Sequence, residues 1–347
     1  MDSQYQEITI TQIKEEVPGF KTFVFGGEYA KAISYLPGQY LTLVTKVHEH
    51  EIRRSYSIIS SLAHQEPLAI GVKRIENGYL SRQLVDHAQP GDRLKTIGAA
   101  GFFTLPENIS QYRQVFFWAA GSGITPIYAL LKTILYQQPE ISMVLVYSNH
   151  SPQSTAYLQA LTDLAEQWPL RLKVHYLFSN APRLDEARLH KNLVKQLVKQ
   201  YSCVSLAEIL CYVCGPENYR RMCLYGLREV GVPAAQIRQE TFSTTKVLTK
   251  VTPPDTAPHQ VTLLYRGQEY QFTTQYPATI LQSASKEGLS LPYSCEAGRC
   301  GNCAATCLTG TVWMSYNEVL TEREIAQGLT LTCVGYPVAG DVVLQVK

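Results

Sequence analysis

The sequence predicts a chain of three parts: an antiparallel β-barrel over residues 1–108, an α/β domain with a parallel sheet over 109–245, and a small α+β domain over 259–347 beyond a linker at 246–258. Three observations predict it. Short alternating strands broken by turn residues fill the first part. From Gln114 onward the pattern becomes buried apolar runs alternating with helical stretches, which a parallel sheet with covering helices requires. Near the end stand Cys295, Cys300, Cys303 and, after 29 intervening residues, Cys333.

The chain has 347 residues, 45% hydrophobic and 17% charged, enough for a substantial core and too many for one average domain. A net charge of +2 with no basic run of five carries no nucleic-acid footprint. The polar start Met1-Asp2-Ser3-Gln4-Tyr5-Gln6 has neither signal-peptide nor transit-peptide character. The longest apolar stretches, such as Val115 to Ala120 and Ile141 to Tyr147, are of strand length and too short for a bilayer. A cytoplasmic protein is expected, with no membrane insertion and no nucleic-acid partner.

In the first part, strands are expected at Glu7–Gln12, Lys21–Phe25, Tyr40–Val47, Ser55–Ser60, Leu68–Arg74 and Asp92–Ile97. In the second, strands are expected at Val115–Ala120, Met143–Tyr147, Leu172–Phe178 and Cys211–Val213, with helices at Ile127–Gln137, Thr155–Glu166 and Leu189–Leu197. Between Ser243 and His259 lie Pro253, Pro254 and Pro258 without sustained periodicity, which reads as a linker. A hairpin at Gln260–Leu264 and Gln271–Thr274, turning at Gly267, and a helix at Ile280–Lys286 lead to the cysteine loop.

C-x4-C-x2-C with a distant fourth cysteine is the ligand spacing of a plant-type 2Fe-2S cluster. The triad from Ser294 to Cys303 is rich in residues that let a loop curl, so that backbone N–H groups point inward at sulfide and thiolate. One iron would be held by Cys295 and Cys300, the other by Cys303 and Cys333. A four-cysteine zinc knot competes, but such sites usually pair two C-x2-C units and only Cys300 and Cys303 form one. The other five, Cys203, Cys211, Cys214, Cys223 and Cys307, read as small core residues, and Cys214 has a competing role given below.

Arg54-Ser55-Tyr56-Ser57 lies on a predicted strand, where alternation puts Arg54 and Tyr56 on one face and Ser55 and Ser57 on the other unless the strand is bulged. A flavin needs an aromatic to stack on, a hydroxyl near N5 and a cation for phosphate; Tyr56, Ser57 and Arg54 supply them in order. Gly78-Tyr79-Leu80-Ser81 precedes the helical stretch Leu80–Val85, a place for pyrophosphate, with Lys73 and Arg74 as further cations. Gly121-Ser122-Gly123-Ile124-Thr125-Pro126 follows a buried strand and opens a helix, where dinucleotide phosphate rests on unpaired N–H groups. It is not G-x-G-x-x-G, because Pro126 stands at the third glycine, yet proline suits a first helical turn. Cys214-Gly215-Pro216 ends another buried strand at the sheet edge where ligands bind, so Cys214 is a candidate nicotinamide contact.

With Pro37-Gly38-Gln39-Tyr40, these motifs resemble the signature set of the ferredoxin–NADP reductase superfamily. The order of domains resembles the phenylacetyl-CoA epoxygenase reductase-like oxygenase reductases, and Leu331-Thr332-Cys333 with the other cysteines is the most specific part of the match. The resemblance implies a β-grasp ferredoxin domain at the C-terminus and an electron-transfer oxidoreductase that passes electrons from NAD(P)H through a flavin and the 2Fe-2S cluster to a partner such as an oxygenase, a hydroxylase or a small carrier. It implies FAD, although phthalate dioxygenase-type reductases of the same order use FMN. Tyr56 and Ser57 would flank the isoalloxazine, with Ser57 and Cys214 at the reacting centre; Arg54, Gly78 and Ser81 would hold flavin phosphate, and Thr125 and Cys214 the nicotinamide. Phe242, in Glu240-Thr241-Phe242, matches an aromatic that covers the flavin. Ser148-Asn149-His150 carries neither the arginine frequent there in NADPH enzymes nor an acidic residue for a ribose 2′-OH, which favours NADPH slightly over NADH. One of each redox centre per chain allows a monomer to work. A redox sensor with the same cofactors but no catalytic acceptor is the alternative. The acceptor would dock on an exposed rim around Glu296 to Arg299.

Overall fold

The computed structural model describes residues 5–48, 50–183, 187–242 and 251–346. They form two compact units, Met1–Thr241 and Phe242–Lys347.

The first unit opens with six strands, β1 (Gln6–Val17), β2 (Phe20–Gly26), β3 (Tyr40–Val47), β4 (His50–Ser57), β5 (Ala69–Lys73) and β6 (Arg93–Ala100), with short helices α1 (Glu28–Ala32) and α2 (Tyr79–Arg82) between them. Their order is β4-β3-β6-β1-β2-β5, every neighbour antiparallel. The sheet curls until Ile58, just past β4, bridges Ile70 of β5, and Ile59 N donates to Ala69 O at 2.9 Å. Closure buries Ile8, Ile10, Phe23, Phe25, Leu41 and Leu43 inside the barrel and leaves few free edges. The fourth strand sits earlier than the expected Ser55–Ser60. It pairs without a bulge along all of β3, from His50 opposite Val47 to Ser57 opposite Tyr40, and the chain then leaves for β5.

The second sheet of this unit is all parallel: β7 (Gln114–Ala120), β8 (Ser142–Asn149), β9 (Leu172–Phe178), β10 (Ile209–Cys214) and β11 (Ile237–Glu240), ordered β11-β10-β7-β8-β9. Helices α3 (Ile124–Gln137), α4 (Leu158–Gln167), α5 (Lys191–Tyr201) and α6 (Glu217–Val230) accompany it. Both faces are buried: Phe117, Ala119, Leu145 and Tyr212 belong to one core, Phe116, Trp118, Val144 and Val213 to the other. This is why the strands read as continuous apolar runs. Helix α4 starts later than the expected Thr155, because Tyr157 takes a left-handed φ of 60°. That turn sends the Tyr157 ring to Phe20 of β2 and its OH to within 3.0 Å of Thr22 Oγ1. Strand β11 and helix α6 were not expected from the sequence.

The second unit carries β12 (His259–Tyr265), β13 (Gln268–Thr274), helix α7 (Ile280–Lys286), β14 (Ala304–Met314), helix α8 (Glu322–Ala326), β15 (Leu329–Leu331) and β16 (Gly335–Val346). The sheet order is β13-β12-β16-β14-β15, with β12 and β16 parallel and the other pairs antiparallel. Thr279 and Gln282 form a reciprocal cap at the start of α7, whose Ile280 and Ala284 are fully buried. Of the expected linker, residues 246–250 lie outside the described residues. The remainder is tied down at Asp255, whose carboxylate accepts from Ala257 N and Ala339 N and bonds His259 Nε2 at 2.8 Å. The fold is thus multidomain: an antiparallel barrel, a parallel α/β sheet and a mixed α+β domain. Among the described residues no helix is long and apolar enough to cross a membrane.

Candidate functional site

The strand order of the parallel sheet reverses direction at β7. β7 has β8 on one side and β10 on the other, so the crevice at their carboxyl ends is a topological switch point. Gly121–Gly123 leave β7 as a 3-10 turn and run into α3, and Cys214-Gly215-Pro216 leave β10 beside them. The two loops touch: a side chain at Gly123 would collide with the Cys214 carbonyl. Pro126 lies in the first turn of α3, where its missing N–H costs nothing. Thr125 is buried and its Oγ1 donates to Ser122 O at 2.9 Å, bracing the turn from within.

The barrel brings its own residues to this crevice. Gly71 of β5 packs against the Thr125 methyl, and Lys73 Nζ lies 3.9 Å from where a Cβ would stand at Gly121. Lys73 is exposed and has no ion pair among the described residues, whereas Arg74 is committed to Asp86 at 2.9 Å. Of the two cations, Lys73 is thus the one facing the Gly121–Gly123 turn. On β4 the alternation holds: Ser57 is buried, Tyr56 is half-buried with its phenol pushed up by desolvation, and Arg54 is exposed with Nη1 on Arg53 O at 2.7 Å. Ser55 shares a 3.0 Å hydrogen bond with Thr42. Ser81 is buried and its hydroxyl braces the turn before α2, accepting from Ile75 N and donating to Gly78 O. What that turn offers a phosphate is therefore backbone N–H rather than the Ser81 hydroxyl. Phe242 is 47% exposed just past β11.

Register also places Glu240 directly beside Cys214. Sequence reasoning singled out the Glu240-Thr241-Phe242 stretch only for its aromatic. Although the residue is half-buried overall, its Oε2 is shut off from solvent and has no hydrogen-bond partner among the described residues. Desolvation raises the carboxyl to about 8. Burial is also the main cause that pushes up the Cys214 thiol, with Glu240 adding to it, so this sulfur is a neutral, polarizable contact. No local signal marks Glu240, since its strand reads Ile237-Arg238-Gln239-Glu240 and it meets Cys214 only through strand pairing.

In the second unit the cysteines meet in pairs. Cys295 and Cys300 hydrogen-bond through their side chains, as do Cys303 and Cys333. The Cys300 thiol first, then backbone N–H groups of Arg299, Ala297 and Cys300, draw the Cys295 thiol below its ordinary value. Ala297 N stands 3.4 Å from Cys295 Sγ. The 29-residue gap closes because β14 and β15 pair Ala304 with Leu331, while Thr332 donates to Cys303 O from both N and Oγ1. Two pairs of thiols with inward N–H groups suit two irons bridged by sulfide. Among the described residues no three His, Cys, Asp or Glu side chains gather on one ion position. Of the remaining cysteines, Cys211, Cys214 and Cys223 are buried as expected, but Cys203 is exposed and Cys307 half-exposed. The expected docking rim is also revised: Glu296 is exposed, whereas Ala297 and Arg299 are buried.

Comparison with known proteins agrees with this layout. Residues 7–105 match the oxidoreductase FAD-binding domain, 117–224 the oxidoreductase NAD-binding domain, and 264–338 the 2Fe-2S iron-sulfur cluster binding domain. The chain is 31% identical to one component of the 1,2-phenylacetyl-CoA epoxidase of Escherichia coli, over 98% of this chain and 97% of the relative. It belongs to the oxygenase reductase components. It is likewise 31% identical to the ferredoxin reductase component of 3-ketosteroid-9-alpha-monooxygenase from Mycobacterium tuberculosis, over 97% and 94% of the two chains. The fold is that of phthalate dioxygenase reductase, with a TM-score of 0.58 at 21% identity, covering 99% of this chain and 98% of the other. An oxygenase reductase of this kind carries FAD-, NAD- and 2Fe-2S-binding domains in one polypeptide.

Proposed function

We propose that residues of both domains of Met1–Thr241 build one NAD(P)H-oxidising centre and that Cys295, Cys300, Cys303 and Cys333 hold the cluster from which an oxygenase-type acceptor is served. The carrying observation is the meeting of Lys73 and Gly71 from the barrel with Gly121 and Thr125 from the nucleotide domain. When bound, the flavin supplies the conversion of a hydride pair from NAD(P)H into single electrons, which the 2Fe-2S cluster relays.

The chain's residues do the holding. Gly121, Ser122 and Gly123 present backbone to a dinucleotide phosphate, with Lys73 as the nearby cation and Pro126 starting α3. Thr125, Cys214, Gly215 and Pro216 form the floor on which the nicotinamide is oriented, and Cys214 stays protonated and soft. Tyr56 stacks on the flavin, Ser57 stands near its reacting edge, and Arg54, Ser55, Gly78 and Ser81 shape the phosphate side. Phe242 is the aromatic proposed to cover the flavin. We keep 1–108, 109–245 and 259–347 as the limits of the three functional parts. The free thiols of the ligand set suit a reducing compartment, and we assign the protein to the cytoplasm. The absence of an acidic residue at Ser148-Asn149-His150 supports NADPH over NADH, which comparison of kcat/KM for the two nucleotides checks.

Cys303→Ser tests the division of labour. Stopped-flow reduction of the flavin by NAD(P)H should stay largely unchanged while cluster-dependent reduction of a protein acceptor is abolished. Loss of flavin reduction with flavin still bound would defeat the reading. A sensor without an acceptor would instead fail to sustain turnover with cytochrome c in the native protein.

A further inference from the structure

Arg299 stands between two cluster cysteines, yet only 8% of it is exposed. Its Nε lies 3.5 Å from Glu318 Oε2, its Nη2 donates to Tyr316 OH at 3.3 Å, and its guanidinium lies 5.4 Å from the Tyr316 ring centre. Tyr316 OH in turn donates to Glu318 Oε1. The segment that carries these partners also grips the cysteine loop through backbone: Glu318 N donates to Gly298 O at 3.0 Å. Gly298 has φ +68°, and a side chain there would run into the Tyr316 carbonyl at 2.6 Å. Arg299 is thus a buried cation fixed in the loop that bears Cys295 and Cys300, and Glu318 is its counter-charge.

We propose that Arg299 is a positioning residue that also sets the cluster's reduction potential, with Glu318 opposing it. The inference rests on the four cysteines holding the cluster. Such a cluster gains one negative charge on reduction, so a buried guanidinium in its loop favours the reduced form and the carboxylate beside it disfavours it. A residue that merely staples the two segments together makes a different prediction. Loss of either partner would then loosen the loop in the same way.

The test is the midpoint potential of the cluster in the full-length protein, read by redox titration with electron paramagnetic resonance, alongside iron and sulfide content. Arg299→Met should lower the potential by roughly tenfold in the reduction equilibrium, ~59 mV for one electron. Glu318→Gln, which can still accept from Tyr316, should raise it, and Arg299→Lys should restore most of the native value. Shifts of the same sign in Arg299→Met and Glu318→Gln, or neither moving by more than about twofold, would overturn the inference. If Arg299→Met does not load iron, Glu318→Gln and Arg299→Lys decide: an unmoved or lowered potential in Glu318→Gln overturns it. A native protein without a reducible 2Fe-2S signal would instead remove the cysteine assignment on which the inference stands.

Discussion

Burying a carboxyl group without a hydrogen bond is costly, and such groups concentrate where a protein has chemistry to do. Glu240 brings one such oxygen, Oε2, which has no partner among the described residues, beside Cys214 at the carboxyl edge of the parallel sheet. Its folded value of about 8 lies above the ordinary 4.5, so its contribution to stability is full below about 4.5 and is lost as pH rises through about 8. The unfolding temperature should therefore fall between about pH 4.5 and about pH 8 and level off above it, and Glu240→Gln should flatten that fall. Differential scanning calorimetry of the two proteins across this range checks it, and identical slopes would refute it. The same ionisation brings a negative charge beside Cys214, the proposed nicotinamide contact, so KM for NAD(P)H should rise above about pH 8 in the native protein and less so in the variant. The buried edge at Glu240 was not legible in the sequence, because its neighbour Cys214 is 26 positions upstream and meets it only through strand pairing. The cysteine quartet proposed to hold the cluster stands out in the sequence by its spacing alone, three of the four lying within nine residues.

At the level of elements, the barrel and the parallel sheet are joined through α3. Lys132 of α3 is buried and pairs with Glu66, which also accepts from Ser61 N at 2.7 Å. Ser61 Oγ meets Thr133 Oγ1 at 2.8 Å, and the rings of His64 and Tyr136 stack at 4.5 Å. Removing one member of a buried ion pair strands its partner, at a cost of about 3–5 kcal/mol when both are fully buried. Glu66 keeps 26% of its side chain exposed, so Lys132→Met should cost about 2 kcal/mol in urea unfolding. Lys132→Met combined with Glu66→Gln should recover part of that loss, and additive losses would contradict the pairing. Strands with both faces buried, such as β7 and β8, announced themselves as apolar runs. Helix α6 and strand β11 did not: α6 shows Glu217, Arg220, Arg221, Arg228 and Glu229 along its length, and β11 is four residues, half-buried after Ile237.

For the molecule as a whole, each of the two units closes its own sheets around its own core. A chain ending at Phe242 should therefore fold, bind flavin and reduce ferricyanide with NAD(P)H at rates within a few-fold of the full protein. It should not reduce a protein acceptor, and an insoluble or flavin-free product would count against the independence of the first unit. The order of the three parts was readable because each has its own periodicity: alternating, continuous or cysteine-marked. Less readable was the proline-rich stretch, since nothing local in Pro253 to Pro258 reveals that Asp255 will accept from Ala339 N, 84 positions away. That bond matters to anyone who would transplant the iron–sulfur part onto another reductase. A graft cut at His259 discards Asp255 and leaves the Ala339 amide and the His259 ring without their acceptor, whereas a graft that begins at Val251 carries the clasp with it. Of two chimeras differing by those eight residues, the longer should resist heat better and keep its iron longer.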